Sequence, residues 1–145
     1  MKRLLISLAG VVLALPACAF GGTPDRDRLA LYQAHAMPPV ESFRYLNRID
    51  GWTPLGDTAV AIWTHPNEAY LLEVDTPCPD LEFAQAIGLT SNSGTVYSRF
   101  DKVIPRAGGS TRTMPCPIRQ IRPLDVKALK SAEKDIRRQR EDASS

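Results

Sequence analysis

Two cysteines in this chain are each bracketed by prolines, and that pattern constrains its fold more than anything else in the sequence. Pro77-Cys78-Pro79 follows the apolar run AYLLEV, and Pro115-Cys116-Pro117 opens the run CPIRQI. A proline after a residue pushes that residue out of the helical region. A proline before it fixes one neighbouring φ and removes one backbone donor. Both cysteines therefore belong to stiff, extended backbone at strand boundaries, which holds each sulfur in a fixed direction. In an oxidising compartment such a pair persists as a disulfide. A Cys78–Cys116 bridge would close a loop of about forty residues, for which chain entropy gives on the order of 4 kcal/mol. That is a large part of the stability of a small domain.

The N-terminus bears on the compartment. Lys2 and Arg3 precede an uncharged apolar run from Leu4 to Leu15. About a dozen residues are too few to cross roughly 30 Å of hydrocarbon as a helix, and the pattern is that of a bacterial export signal. Leu15-Pro16-Ala17-Cys18 resembles the lipobox of bacterial lipoproteins, in which a small residue precedes the cysteine that is lipidated and becomes the first residue. Pro16 is atypical there, and Ala17-Cys18-Ala19 also fits ordinary signal cleavage before Phe20. The expected organisation is an export signal over 1–17, a tether over 18–24 beginning at lipidated Cys18, an α+β domain over 25–130 and a charged helical tail over 131–145. Ala19, in place of aspartate after the cysteine, points to the periplasmic face of the outer membrane. Without lipidation the protein would be periplasmic or secreted. Several acyl chains hold firmly, since each buried methylene contributes about 0.8 kcal/mol.

Charge excludes one class of partner. The chain has 18 Lys and Arg against 16 Asp and Glu, and removing Lys2 and Arg3 with the leader balances them. A near-neutral domain lacks the basic face that nucleic-acid binding needs. Roughly 125 residues then remain, enough for one modest core, and no period of 20–50 residues suggests a repeat array.

Within that domain, helix signals frame a strand-rich centre. Thr23 suits a helix cap and Pro24 the first turn. Leu29, Tyr32 and Ala36 then share a face, and Pro38-Pro39 stops the helix. SFRYLNRI reads as a strand. TAVAIWT alternates, turns at His65-Pro66-Asn67-Glu68 and returns antiparallel as AYLLEV. DLEFAQA reads as one or two helical turns capped by Asp80. IGLTS and TVYSRFDKVI read as strands joined at Asn92-Ser93-Gly94, with Gly94 the left-handed residue of a three-residue loop. PRAGGSTRTMP is a polar loop, and Pro117 places CPIRQI at an edge or a strand start. From Asp125 a terminal helix carries a stripe of Val126, Leu129 and Ile136, with Glu133–Arg137 and Asp135–Arg138 spaced to pair. The expected fold class is α+β: about five mostly antiparallel strands, a short N-terminal helix and a C-terminal helix.

No catalytic, cofactor-binding or metal-ligating set emerges. His35 and His65 lack finger-like spacing with any cysteine. Ser131-Ala132-Glu133-Lys134 matches S-x-x-K, but its partner motifs are missing. Asp75, Asp80, Glu82 and Asp101 fit neither a calcium loop nor a glycosidase pair. Trp52 and Trp63 are expected in the core, and Arg137-Arg138-Gln139-Arg140 on a solvated helix face.

GWTPLGDTAVAIWT, AYLLEVDTPCPDLEFAQAIGLTS, TVYSRFDKVI and CPIRQIRPLD together resemble a family of small exported, lipoprotein-like bacterial proteins known only as a domain of unknown function. The resemblance runs from about Asp25 to Leu129. Its most specific parts are the two cysteines, the LTS strand, the Arg99-Phe100-Asp101 step and IRPLD. It implies no activity or cofactor. The expectation is a non-catalytic envelope module, anchored to the membrane by its N-terminal lipid, that binds an envelope protein or cell-wall partner or serves structurally. The alternatives are a hydrolase using an acidic pair and an inhibitor of a secreted hydrolase.

Overall fold

The computed structural model describes residues 25–109 and 114–145. The expected leader, Cys18 and the expected Thr23-Pro24 helix start lie outside the described residues. In chain order the elements are α1 (Asp25–Ala34), β1 (Ser42–Arg44), β2 (Gly51–Pro54), β3 (Ala59–His65), β4 (Glu68–Val74), α2 (Pro79–Glu82), β5 (Ala84–Leu89), β6 (Thr95–Tyr97), β7 (Lys102–Ala107), β8 (Cys116–Pro123) and α3 (Val126–Ala143). Six strands form one antiparallel sheet in the order β2-β3-β4-β8-β7-β5, and β1 pairs β6 in a separate ribbon. The class is α+β, with more strands than the five or so that the sequence suggested.

The expected hairpin of β3 and β4 is present, with Val60 opposite Leu72 and Ile62 opposite Tyr70. Its alternation assigns the two faces of the sheet. Ala59, Ala61, Ala69 and Leu71 meet Tyr32 of α1 and Val126 and Leu129 of α3. Val60, Ile62 and Leu72 face the other way, onto Phe43 and Val96 of the β1–β6 ribbon, Leu81 of α2 and both cysteines. Phe43 stacks on Tyr70 with ring centroids 4.3 Å apart.

Cys78 and Cys116 form a disulfide with Cα atoms 6.2 Å apart. It ties the segment after β4 to the first residue of β8, and the Cys78 amide donates to the Asp57 carbonyl at 2.7 Å. Pro117 stands at the start of β8. That strand is central and not an edge: its first residues, Cys116 and Pro117, pair β7, and Ile118 to Pro123 pair β4.

Three local expectations are corrected. The helix α2 starts at Pro79, with Cys78 in the cap position, so Asp80 sits in its first turn and does not cap it. FAQA leaves the helix and feeds β5. Asn92 and Thr95 exchange backbone hydrogen bonds at 2.9 and 3.0 Å around Ser93 (φ 50°) and Gly94 (φ 77°). Two consecutive positive φ values make a two-residue turn, not a three-residue loop. The strands on either side of it diverge: β5 pairs β7 while β6 pairs β1. TVYSRFDKVI is accordingly two strands, broken at Ser98-Arg99-Phe100-Asp101.

The terminal helix begins as expected, with the Asp125 carboxylate accepting the Ala128 amide at 3.0 Å. Among the described residues no two α3 charges come within 4.0 Å of each other, so the expected Glu133–Arg137 and Asp135–Arg138 pairs are not formed. Glu133 turns instead to α1 and accepts the Tyr32 hydroxyl at 3.0 Å. That leaves residues 131–143 continuous with the helix packed on the sheet.

Candidate functional site

The break in TVYSRFDKVI builds the most distinctive surface of the protein. Asp101 is buried, and its carboxylate accepts the Thr90 hydroxyl at 2.6 Å and the Tyr97 amide at 2.7 Å. Its own amide donates to the Tyr97 carbonyl at 3.0 Å, closing the turn. The turn is then fastened to β8, since the Arg99 amide donates to the Ile118 carbonyl at 2.7 Å and the Ile118 amide to the Asp101 carbonyl at 3.0 Å. Arg99 is thereby held at φ 68°, a left-handed conformation uncommon for arginine. Phe100 projects from the tip with 83% of its surface exposed.

A groove opens beside this tip, and the pairing of β8 explains why. Ile118 is bonded to the Arg99–Asp101 turn, whereas Ile121 accepts from the Val40 amide at 2.9 Å and Pro123 from the Met37 amide at 2.8 Å. Between those partners, at Arg119 and Gln120, the flank of β8 has changed neighbours. The resulting open groove, of about 800 Å³, is lined there by Arg119 and Gln120, on one wall by Pro39, Val40 and Glu41, and on the other by Tyr97 to Phe100. Ser98 joins the walls, its amide donating to the Glu41 carbonyl at 2.9 Å and its hydroxyl to the same oxygen at 3.2 Å. Arg119 is steadied from below by Glu73, 3.8 Å away, which also accepts the Gln33 side-chain amide at 3.0 Å.

Two guanidinium groups, an exposed phenyl ring and a half-exposed phenol give charge, planar donors and apolar area. Among the described lining residues Glu41 is the single carboxylate, and there is no histidine or cysteine to act as base or nucleophile.

The other residues that the sequence singled out are scattered. Asp101 is consumed in the turn. Glu82 lies beside Asp25 and Asp57; a hydrogen bond with Asp25, some burial and the charges of Asp25 and Asp57 raise its carboxyl above the usual range. His35 Nδ1 lies 2.8 Å from the Leu31 carbonyl, and His65 sits 3.9 Å from Glu68 in the exposed hairpin turn. No group of three His, Cys, Asp or Glu among the described residues could hold a metal ion. Trp52 packs with the ribbon-side core and Trp63 with the helix-side core, so they share no platform. Ser131 is exposed on α3. Arg137 and Arg140 line a cavity of about 220 Å³ between α1 and α3, with Asp27, Arg28 and Ile136 among its walls. Among the described residues no helix is long and apolar enough to cross a membrane.

Tyr97, Phe100 and Arg119 were not legible as site residues. One signal was available: an Arg-Phe-Asp step interrupting a strand-like run, where an aspartate must either be solvated or cap something.

The chain is a small disulfide-bridged α+β domain with an open groove beside the exposed Arg99-Phe100 tip. The chain belongs to a family of unknown function, DUF6491, whose family model matches residues 1–140. The match extends beyond Asp25–Leu129 at both ends and takes in residues 1–24. No curated protein and no solved structure matches the chain.

Proposed function

We propose that this protein is an exported envelope lipoprotein, anchored at Cys18, whose domain is a non-catalytic binding module for an envelope protein or cell-wall partner. The observation that carries the binding role is the Arg99-Phe100 tip. A left-handed arginine costs energy and persists only when its surroundings enforce it, and here five hydrogen bonds around Asp101 and Ile118 do so. The enforced conformation keeps a large apolar ring in water beside two arginines. Aromatic residues and arginine dominate binding energy at protein interfaces, and a rigid convex tip fits a concave site on its partner. An inhibitor of a secreted hydrolase is one form such a module takes. The leader, the lipobox-like Leu15-Pro16-Ala17-Cys18 and a bridge suited to an oxidising compartment support export.

The test places a photoreactive residue at position 100 of the full-length protein in its exporting cell. A discrete crosslinked envelope species, lost when Arg99→Ala accompanies the label, is the expected result. Equal yield from the same label at exposed Gln139 on α3, or no adduct at position 100, would overturn the assignment of the binding surface.

A further inference from the structure

At the far side of the sheet from β2 lies a second surface, independent of the groove. Among the described residues β5 has one neighbour, β7, and ends the strand order. Its hydrogen-bonding phase follows from two facts. The Thr90 amide donates to the Lys102 carbonyl at 3.0 Å, and Ile87 stands opposite Pro105, which has no N–H to give. By alternation along an antiparallel pair, Ala86, Gly88 and Thr90 turn their backbone groups towards β7. Ile87 and Leu89 turn theirs outward.

Natural edges are blunted by charge, proline, bulges or shortness. The opposite edge, β2, has four residues and ends at Pro54. β5 has six residues, AQAIGL, without charge or proline. Its one irregularity falls between Ala84 and Ala86, which leaves Ala86 to Leu89 regular. The absence of charge extends well past the strand, because no Asp, Glu, Lys or Arg occurs from Phe83 to Ser98 in a chain that is 23% charged. Phe83, just before the strand, is 68% exposed.

We propose that the outer edge of β5 pairs antiparallel with β5 of a second copy of this chain, joining two six-stranded sheets across a two-fold axis. Self-pairing suits this edge because two-fold symmetry sets the edge against a copy of itself. A charged edge would repel itself, and an uncharged one does not. Outward-facing Ile87 meets Ile87 of the second copy on the axis, and Ala86 meets its Gly88. Exposed Ala86 and side-chain-free Gly88 leave room for a second strand to approach. Two short strands bury less than the roughly 1,200 Å² of a standard interface, so the dimer is weak and fills as concentration rises.

The test uses the processed protein from its exporting cell, in mild detergent, from micromolar to millimolar concentration. Sedimentation should show the mean mass rising from one chain towards two. Amide hydrogen exchange at Ile87 and Leu89 should slow over the same range, while Gly88, already bonded to β7, stays unchanged. Ala86→Lys, at an exposed position, should hold the mass at one chain with an unaltered circular dichroism spectrum. A mass that stays at one chain overturns the proposal. So does association that leaves the Ile87 and Leu89 amides unchanged, which would place the contact elsewhere, and so does protection that appears only when another envelope protein is added. The exchange readout needs no variant, so the outcome does not depend on Ala86→Lys folding.

Discussion

The Asp101 carboxylate accepts the Thr90 hydroxyl at 2.6 Å, and the same Thr90 oxygen accepts the Lys102 amide at 2.9 Å. Thr90 follows β5 and Lys102 opens β7, so one buried carboxylate organises both the sheet and the Arg99-Phe100 tip. Removing a buried acceptor strands the donors that depended on it, at about 1–3 kcal/mol. Asp101→Ala is expected to lower unfolding free energy in urea by that amount, and to reduce crosslinking from position 100 even where the protein stays folded. A variant as stable as the parent would show that water replaces the carboxylate.

Cys78 and Cys116 are expected to resist alkylation unless the protein is first reduced. Their Cα separation of 6.2 Å lies inside the disulfide range of about 4.4–6.8 Å. Reduction should cost about 2–5 kcal/mol, the usual scale for small secreted domains. Mass spectrometry of the non-reduced, alkylated protein reads the bridge directly, and two alkylated thiols would refute it.

Tyr32 makes the alkaline limb of stability predictable. Burial lifts its hydroxyl to about 12; a hydrogen bond from Thr53 works against the rise, and the charge and hydrogen bond of Glu133 add to it. The unfolded phenol loses its proton near pH 10, while the folded one keeps it to about pH 12. Between those values the folded state binds more protons, so stability falls as pH rises. Below pH 10 this residue contributes no slope. Tyr32→Phe should flatten the decline between pH 10 and 12 in thermal melts, and an unchanged alkaline limb would assign it to other groups.

Truncation after Lys130 is expected to leave a folded domain, because Val126 and Leu129 stay in place and Leu129 is fully buried. It removes half-buried Ile136 and leaves the Tyr32 hydroxyl without Glu133. Together these should cost about 1–2 kcal/mol. A truncated chain with no cooperative melt would show that the last helical turns are needed to hold α1 on the sheet.

Cys18 is expected to carry the lipid. Labelled palmitate should mark the protein in a Gram-negative host, and Cys18→Ser should abolish the mark. A mature N-terminus at Phe20 would show ordinary signal cleavage instead.

Local chemistry was enough to read several parts of this protein. Alternation in TAVAIWT and AYLLEV gave the β3–β4 hairpin, because a period of two is a property of neighbouring residues. Asp125 before an apolar stripe marked the start of α3 for the same reason. Prolines around Cys78 and Cys116 fixed their backbone, and two cysteines in one domain have a single intramolecular pairing. The tertiary structure alone decided where β5 and β6 go. A two-residue turn at Ser93-Gly94 can join strands that pair or strands that part, and here distant partners, β7 for one and β1 for the other, settle it. The groove was equally hidden, since its walls come from residues 39–41, 97–100 and 119–120. Those segments meet because β8 exchanges one hydrogen-bonding neighbour for another between Ile118 and Ile121, and backbone pairing across such separations leaves almost no trace in the side chains that line the gap.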